Sequence, residues 1–419
     1  ARLQFLREVG LGYLTLDRQS RTLSGGEVQR INLTTALGTA LVNTLFVLDE
    51  PSIGLHPRDL QRLIGVMHRL RDAGNSLLVV EHDPEVMQAA DRIIDMGPGP
   101  GELGGQICFN GPYAALLSAN TLTGQYLRAE RRVQAAAPRP RATVLQAHRL
   151  RLTGVRANNL KGLDLSLPLR HLVCVTGVSG SGKSTLVQDV LYPALCKHFG
   201  KATEAPGPFD RLEGAALLAD ALLVDQSPIG RTTRSNPAVY VGAFDAIRRR
   251  FAEAPLSLQR GYTTGTFSFN AGTGRCPTCA GSGYEQVEMQ FLSDVYLSCA
   301  DCKGRRYRPE TLEVTLQGRS IGDVLDFTVR QALDFFAEDL EVQRRLQPLV
   351  DVGLDYLRLG QPVPTLSGGE AQRLKIAGHL AEAHERGGRA KKGMLLIFDE
   401  PTTGLHFDDI AKLIRALQA

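Results

Sequence analysis

The sequence predicts an α/β fold written twice in tandem, and three observations predict it. Residues 9–30, VGLGYLTLDRQSRTLSGGEVQR, recur as VGLDYLRLGQPVPTLSGGEAQR at 352–373, a constant offset of 343. Residues 45–56, LFVLDEPSIGLH, recur as LLIFDEPTTGLH at 395–406, an offset of 350. The second copy thus carries seven extra residues, assigned to the polar stretch HERGGRAKKG at 384–393. Finally, apolar, β-branched runs of buried-strand type at 44–50, 76–82, 171–177 and 394–400 alternate with amphipathic stretches such as RDLQRLIGVMHRLRDAG, 58–74. That alternation is the mark of strand–helix architecture.

At 419 residues the chain exceeds a single ordinary core. We divide it into a first copy (1–127), an Arg/Ala/Pro-rich linker (128–150) and a second copy (151–419) with an insertion at about 230–330. From Arg128 to Arg151 there are seven arginines against one acid, Glu130, which reads as a solvated connector. A hydrophobic fraction of 43% with 22% charged residues fits a soluble globular protein, and a net charge of +4 does not by itself call for nucleic acid. No run approaches the roughly 20 apolar residues of a membrane span, and no secretory leader opens the chain. A cytoplasmic protein without membrane partners is expected. The chain opens on Ala1 inside a copy, so it reads as a fragment of a longer protein.

GVSGSGKST, 177–185, follows one of the apolar runs and opens a helix. Gly177, Gly180 and Gly182 let backbone N–H groups turn inward around phosphate, Lys183 reaches the β- and γ-phosphates, and the Ser184 hydroxyl, followed by Thr185, suits Mg²⁺. Asp399 and Glu400 end an apolar run, where two acids are costly without a cation. Asp399 is placed to hold Mg²⁺ and Glu400 to polarise an attacking water; Asp49 and Glu50 repeat the pair, and His82 follows one strand later. The repeated LSGGE supplies two further nests of N–H donors, at Ser24, Gly25, Gly26 and at Ser367, Gly368, Gly369.

One complete phosphate loop with two such nests suggests sites shared between the copies. LSGGEVQR and LSGGEAQR, each followed by a strand ending in DEP, resemble the signature and Walker B elements of ABC-type ATPases. The resemblance implies ATP held between one copy's Walker A loop and the other's signature. Lys183, Ser184, Asp399 and Glu400 would then work with Ser24, Gly25 and Gly26, and Gln226 falls at the Q-loop. The second site would combine Asp49, Glu50 and His82 with Ser367, Gly368 and Gly369. The same resemblance implies that the chain starts after the first Walker A and stops before a second switch histidine.

Of seven cysteines, Cys108, Cys174 and Cys196 stand alone in apolar surroundings and read as core fillers. CPTC (276–279) and CADC (299–302) are separated by 19 residues, within the spacing of a four-thiolate structural zinc site formed by Cys276, Cys279, Cys299 and Cys302. Gly281 and Gly304 allow a tight turn after each pair. The neighbouring RRYR (305–308), GYTTGTFSFN (261–270) and RTTRSN (231–236) have the basic and aromatic character of loops that contact phosphates and stack on bases.

In order, VRANNLKGLDLSLP, DQSPIGRTTRSNPA, TFSFNAGTGRCPTCAGSG, FLSDVYLSCADCKGRRY and TLSGGEAQR with DEPTTGLH resemble the UvrA family. That resemblance implies a homodimeric ATPase that uses ATP, Mg²⁺ and Zn²⁺, binds lesion-bearing double-stranded DNA in nucleotide excision repair, and hands lesions to a UvrB-type helicase. The alternative is a related ABC-type drug-resistance ATPase without partner loading.

Overall fold

The computed structural model describes residues 2–17, 19, 27, 28, 30, 31, 33, 34, 42–133, 147–178, 180–225, 229, 234–287, 295–385 and 392–418. In the first copy, α1 (Arg2–Glu8) precedes β1 (Leu45–Asp49), α2 (Pro57–Asp72) and β2 (Ser76–Val80), and β1 pairs with β2 in parallel. Pro57 starts α2, the His56 Nδ1 accepts the Arg58 N–H at its cap, and Arg69 and Arg71 sit in its last turn, where cations favour the helix dipole. Leu60, Leu63, Ile64, Met67 and Leu70 recur at helical spacing and bury against Val9, Leu11 and Val86.

The strands themselves are not fully buried, contrary to the expectation. Along β1 and β2 half-covered and exposed residues alternate, and Leu45, Val47, Leu78 and Val80 are exposed. α2 covers one face of the pair; among the described residues nothing covers the other. An antiparallel pair follows, β3 (Ile93–Gly97) with β4 (Gln106–Gly111), and then α3 (Leu122–Leu127), N-capped by the Thr121 hydroxyl. Arg128 belongs with α3 rather than with a solvated connector: it donates to the carbonyls of Leu117 and Ala119 at 2.7 and 2.8 Å and pairs with Glu130.

The second copy opens with β5 (Arg149–Val155) and β6 (Leu163–Pro168). The phosphate-loop residues lead into a π-helix (Thr185–Leu191) and α4 (Tyr192–His198), followed by β7 (Arg211–Glu213) and β8 (Leu218–Val224). β6, β5 and β7 form one antiparallel sheet in that order. The 171–177 run is not a strand, and residues 172–176 are exposed. An apolar run becomes a strand only where a neighbouring edge offers ladder hydrogen bonds, and no described strand pairs with it. Cys174 lies in this run and is exposed, as is Cys108; of the three lone cysteines only Cys196 is buried.

Beyond β8 come α5 (Ala243–Ala252), a hairpin of β9 (Tyr284–Val287) and β10 (Val295–Ser298), α6 (Leu340–Asp351), α7 (Gly368–Glu385), β11 (Gly393–Phe398) and α8 (Phe407–Gln418). β11 returns to pair with β8 in parallel, so the chain between them, insertion and α6–α7 included, leaves and re-enters at adjacent strands. The contents of the insertion are not a separate module. Phe251, Phe267, Phe269 and Tyr307 share one buried cluster with Leu346 of α6, Leu374 of α7 and Leu413 of α8.

This core corrects the reading of GYTTGTFSFN and RRYR as base-stacking loops. Phe267 and Phe269 are fully buried, and the Tyr307 hydroxyl donates to the Phe267 carbonyl at 2.7 Å. Arg306, also buried, donates to the Gly360 carbonyl at 2.9 Å and lies 5.0 Å over the Phe269 ring. Aromatic composition is the same for a stacking surface and for a core, and here the core takes the rings. Phe267→Ala should lower stability by about 3–5 kcal/mol, as for a fully buried aromatic ring, and the check is the shift of the urea unfolding midpoint.

Candidate nucleotide site and metal centre

The phosphate loop is built by left-handed glycines: Gly180 has φ +73° and Gly182 +98°. A Cβ on Gly182 would stand 2.8 Å from Asn159 Oδ1, and Asn159 Nδ2 donates to the Gly180 carbonyl at 3.1 Å. Asn158 Nδ2 donates to Thr185 Oγ1 at 3.2 Å. Sequence reading missed this asparagine pair, although it stands in the VRANNLKG segment quoted above. Lys183 Nζ donates to the Gly177 and Val178 carbonyls at 2.9 and 3.1 Å, so its ammonium closes on its own loop. Ser184 begins the helical turns, and the Gln188 side chain donates to Asp399 Oδ2 at 2.7 Å, tying the loop's helix to the carboxylates.

Burial raises Asp399, with the Asp225 charge adding and Gln188 and Lys183 opposing. Glu400 is raised by burial first and by Asp399 second, against the Lys183 and Arg30 charges. Arg30 belongs to the first copy's LSGGEVQR. Glu50 is likewise raised by burial, with Asp49 and Glu81 adding and His82 opposing. Glu50 and Glu400 share a rare backbone state, φ +46° and +45°, a strain that persists only where surroundings impose it.

The two copies meet at these glutamates. A Cβ on Gly404, in the second copy's TTGLH, would lie 2.6 Å from Glu50 Oε2, and one on Gly54, in the first copy's SIGLH, 3.3 Å from Glu400 Oε1. Each glycine loop therefore seats on the other copy's glutamate. His82 and His406 approach edge to face, with ring centroids 6.5 Å apart. Gly54, Gly404 and His406 went unassigned in the sequence, though their recurrence at offset 350 was the available signal.

The LSGGE segments repeat the symmetry. Tyr13 donates to Glu27 Oε1 at 2.5 Å, and Tyr356 to Glu370 Oε1 at 2.7 Å. Ser367 and Glu370 form a reciprocal capping box at the start of α7: the Ser367 N–H donates to Glu370 Oε2 at 2.9 Å and the Glu370 N–H to Ser367 Oγ at 3.3 Å. Gly368 and Gly369 form the first turn of α7. Gln372 donates to the Asp399 carbonyl at 2.8 Å and Lys375 to Asp225 Oδ1 at 2.6 Å, so α7 grips both the carboxylate strand and the residue before Gln226. Gln226 itself, and Ser24, Gly25 and Gly26, lie outside the described residues. What is described on that side is Tyr13, whose ring atom Cδ2 would stand 3.0 Å from a Cβ on Gly180. First-copy residues thus reach the second copy's phosphate loop.

The four cysteine sulfurs lie within 4.8 Å of one another. The segments 276–283 and 299–306 are related by an offset of 23 in backbone as well as in cysteine placement. Positive φ recurs at Ala280 and Lys303 (49° and 50°), Gly281 and Gly304 (85° and 83°), and Gly283 and Arg306 (77° and 70°). The exchange of hydrogen bonds is reciprocal: the Cys276 N–H donates to the Arg306 carbonyl at 2.9 Å and the Cys299 N–H to the Gly283 carbonyl at 3.0 Å. Two identical knuckles thus face one centre. Burial pushes the Cys302 thiol up to about 12. Four sulfurs at this spacing fit a closed tetrahedral zinc.

No family model matches the chain. Among curated relatives it is 56% identical over 417 residues to UvrABC system protein A of Thermus thermophilus, covering 99% of this chain and 43% of that protein. It is 51% identical over 418 residues to UvrABC system protein A of Staphylococcus aureus, covering 100% and 43%. The chain therefore spans less than half the length of the curated relatives it matches. Among solved structures, the crystal structure of UvrA2 from Deinococcus radiodurans superposes with a TM-score of 0.90 at 49% identity, over 99% of this chain and 49% of that one. No helix among the described residues is long and apolar enough to cross a membrane.

Metal analysis of the purified protein should show one zinc held by this cluster. Cys276→Ser with Cys279→Ser should lose it and lower the thermal midpoint. Retention of that zinc in the double variant would refute the assignment of ligands.

Proposed function

We propose a function for a chain that belongs, along its whole length, to the UvrA family: part of an ATP-hydrolysing, DNA-binding protein that detects damage in nucleotide excision repair. The observation that carries the reading is the reciprocal seating of Gly404 on Glu50 and of Gly54 on Glu400. Catalytic carboxylates arranged in this way complete their sites only when the two copies are engaged. The binding of one copy by the other can then be made to depend on nucleotide.

The residues fit ATP and Mg²⁺. Two adjacent carboxyls within the field of Lys183, Asp399 partly buried and both raised, suit a divalent cation, and left-handed glycines turn N–H groups toward a phosphate. Bound there, the nucleotide and its metal would supply the phosphoryl group and the charge that holds it. Lys183 and the loop N–H groups would hold phosphate, Ser184 and Asp399 the metal, and Glu400 would orient water. Gln226 and the Ser24, Gly25, Gly26 nest would complete this site. Asp49, Glu50 and His82, with Ser367, Gly368 and Gly369, would form the other.

Zinc fits the cysteine cluster and would fix the β9–β10 hairpin to the core shared with α7. Opening and closing of the copies would be passed through that core to DNA. Recognition then depends on shape and deformability of the duplex, with affinity falling steeply with salt. Assembly as a homodimer and transfer of lesions to a UvrB-type helicase follow from the family and from the UvrABC system named in its relatives. A cytoplasmic site of action goes with them.

The test is the ATPase rate of the intact protein without DNA, with undamaged duplex and with lesion-bearing duplex. Lesion-dependent change in turnover is expected; indifference to both duplexes would favour a drug-resistance ATPase. Lys183→Ala should remove turnover at one of two sites, and unchanged total turnover would refute the composite site. Because Glu400 is raised, turnover should fall as pH drops through a value above the ordinary glutamate pKa of about 4.3, measured as the acid limb of kcat.

A further inference from the structure

One polar chain at the meeting of the copies has no part in the sites as assigned. His406 follows Gly404 on the loop that seats on Glu50, and it is mostly buried. Its Nδ1 accepts the Asp408 N–H at 3.3 Å, so the ring proton stands on Nε2. Nε2 lies 3.1 Å from Thr123 Oγ1, and the Thr123 hydroxyl donates to Asp95 Oδ1 at 2.8 Å. Donor and acceptor therefore run one way, from His406 through Thr123 to Asp95, and the bond accepted at Nδ1 requires a neutral imidazole. Burial lowers the His406 pKa, with the His82 charge acting in the same direction and Asp409, Asp95 and Asp408 opposing.

The surroundings hold the ring in place from the first copy. Tyr126 of α3 stacks on Phe407 with centroids 5.5 Å apart, meets His406 edge to face at 5.9 Å, and donates to Asp408 Oδ1 at 3.3 Å. Lys412 pairs with Asp408 at 3.0 Å, which neutralises the acid nearest the ring's Nδ1 side. Thr123 is buried, so its hydroxyl has these partners in place of water.

We propose that His406 is a positioning residue for the first copy's carboxylate site, latched by Thr123 and Asp95 so that its ring edge fixes His82 and its loop fixes Glu50. The inference rests on the two-site ATPase reading and adds a residue to it. Thr123 and Tyr126 lie on the helix just before the linker, so the latch makes that helix part of the site's frame.

The test uses the intact protein carrying Lys183→Ala, in which residual turnover reports the Glu50 site. Thr123→Val keeps the shape and deletes the relay; it should lower residual kcat about tenfold while KM stays within about twofold, a split that follows when only transition-state geometry suffers. Thr123→Ser should restore most of the rate. Unchanged kcat in Thr123→Val, or equal losses with Val and Ser, would overturn the latch. Should Lys183→Ala alone abolish turnover, the two-site reading fails, and the latch is judged by histidine ¹⁵N NMR of the same protein, assigned with His406→Gln. An Nε2-protonated ring that responds to Thr123→Val supports it; an Nδ1-protonated ring, or one that ignores Thr123→Val, overturns it.

Discussion

The structure depends on one reciprocal contact: each copy's glycine loop closes on the other copy's glutamate. Glu50 and Glu400 both sit at the end of a strand, both hold a left-handed backbone, and both are raised by burial. Neither state is favourable alone. A left-handed non-glycine residue costs free energy and persists only where its surroundings impose it. Both loops turn on a left-handed backbone that favours glycine, and a Cβ at 404 would stand 2.6 Å from the Glu50 carboxylate and one at 54 would stand 3.3 Å from that of Glu400. In the reading proposed here, the site is thereby made conditional on assembly of the two copies.

The second constraint is the shared core. Phe267, Phe269 and Tyr307 of the insertion pack in the same cluster as Leu374 of the signature helix and Leu413 of α8. The cysteine knuckles hang on this core through Arg306, whose carbonyl accepts from Cys276 and whose guanidinium donates to the Gly360 carbonyl, seven residues before Ser367. The cysteine cluster and the signature helix are thus joined through one continuous core. Arg358 links this part to the first copy by donating to Glu102 at 3.2 Å, and Tyr356 lies against Gly101.

Much of this was legible in the sequence because it is written twice. The offset of 343 is repeated in space by the Tyr13–Glu27 and Tyr356–Glu370 pairs, which the sequence did not single out. The phosphate loop and the cysteine set were readable from spacing, since backbone N–H cradles and tetrahedral thiolates tolerate few alternatives. What was not legible depended on partners. Burial of strands 45–49 and 76–80 needed knowledge of what covers their second face, and the 171–177 run needed a strand edge to pair with. Phe267 and Phe269 read equally well as stacking rings and as core. His406 drew no attention because its role comes from Thr123, 283 residues away in sequence.

The contact between copies is tested most directly by coupling across it, using thermal stability of the intact protein. Gly404→Ala is introduced once with Glu50 present and once with Glu50→Ala. If the loop seats on the glutamate, the added methyl lowers the midpoint markedly in the first case and by less than half as much in the second, where only backbone strain remains. Equal losses in the two backgrounds would mean that Gly404 does not meet Glu50, and the account of a site completed across the copies would fall.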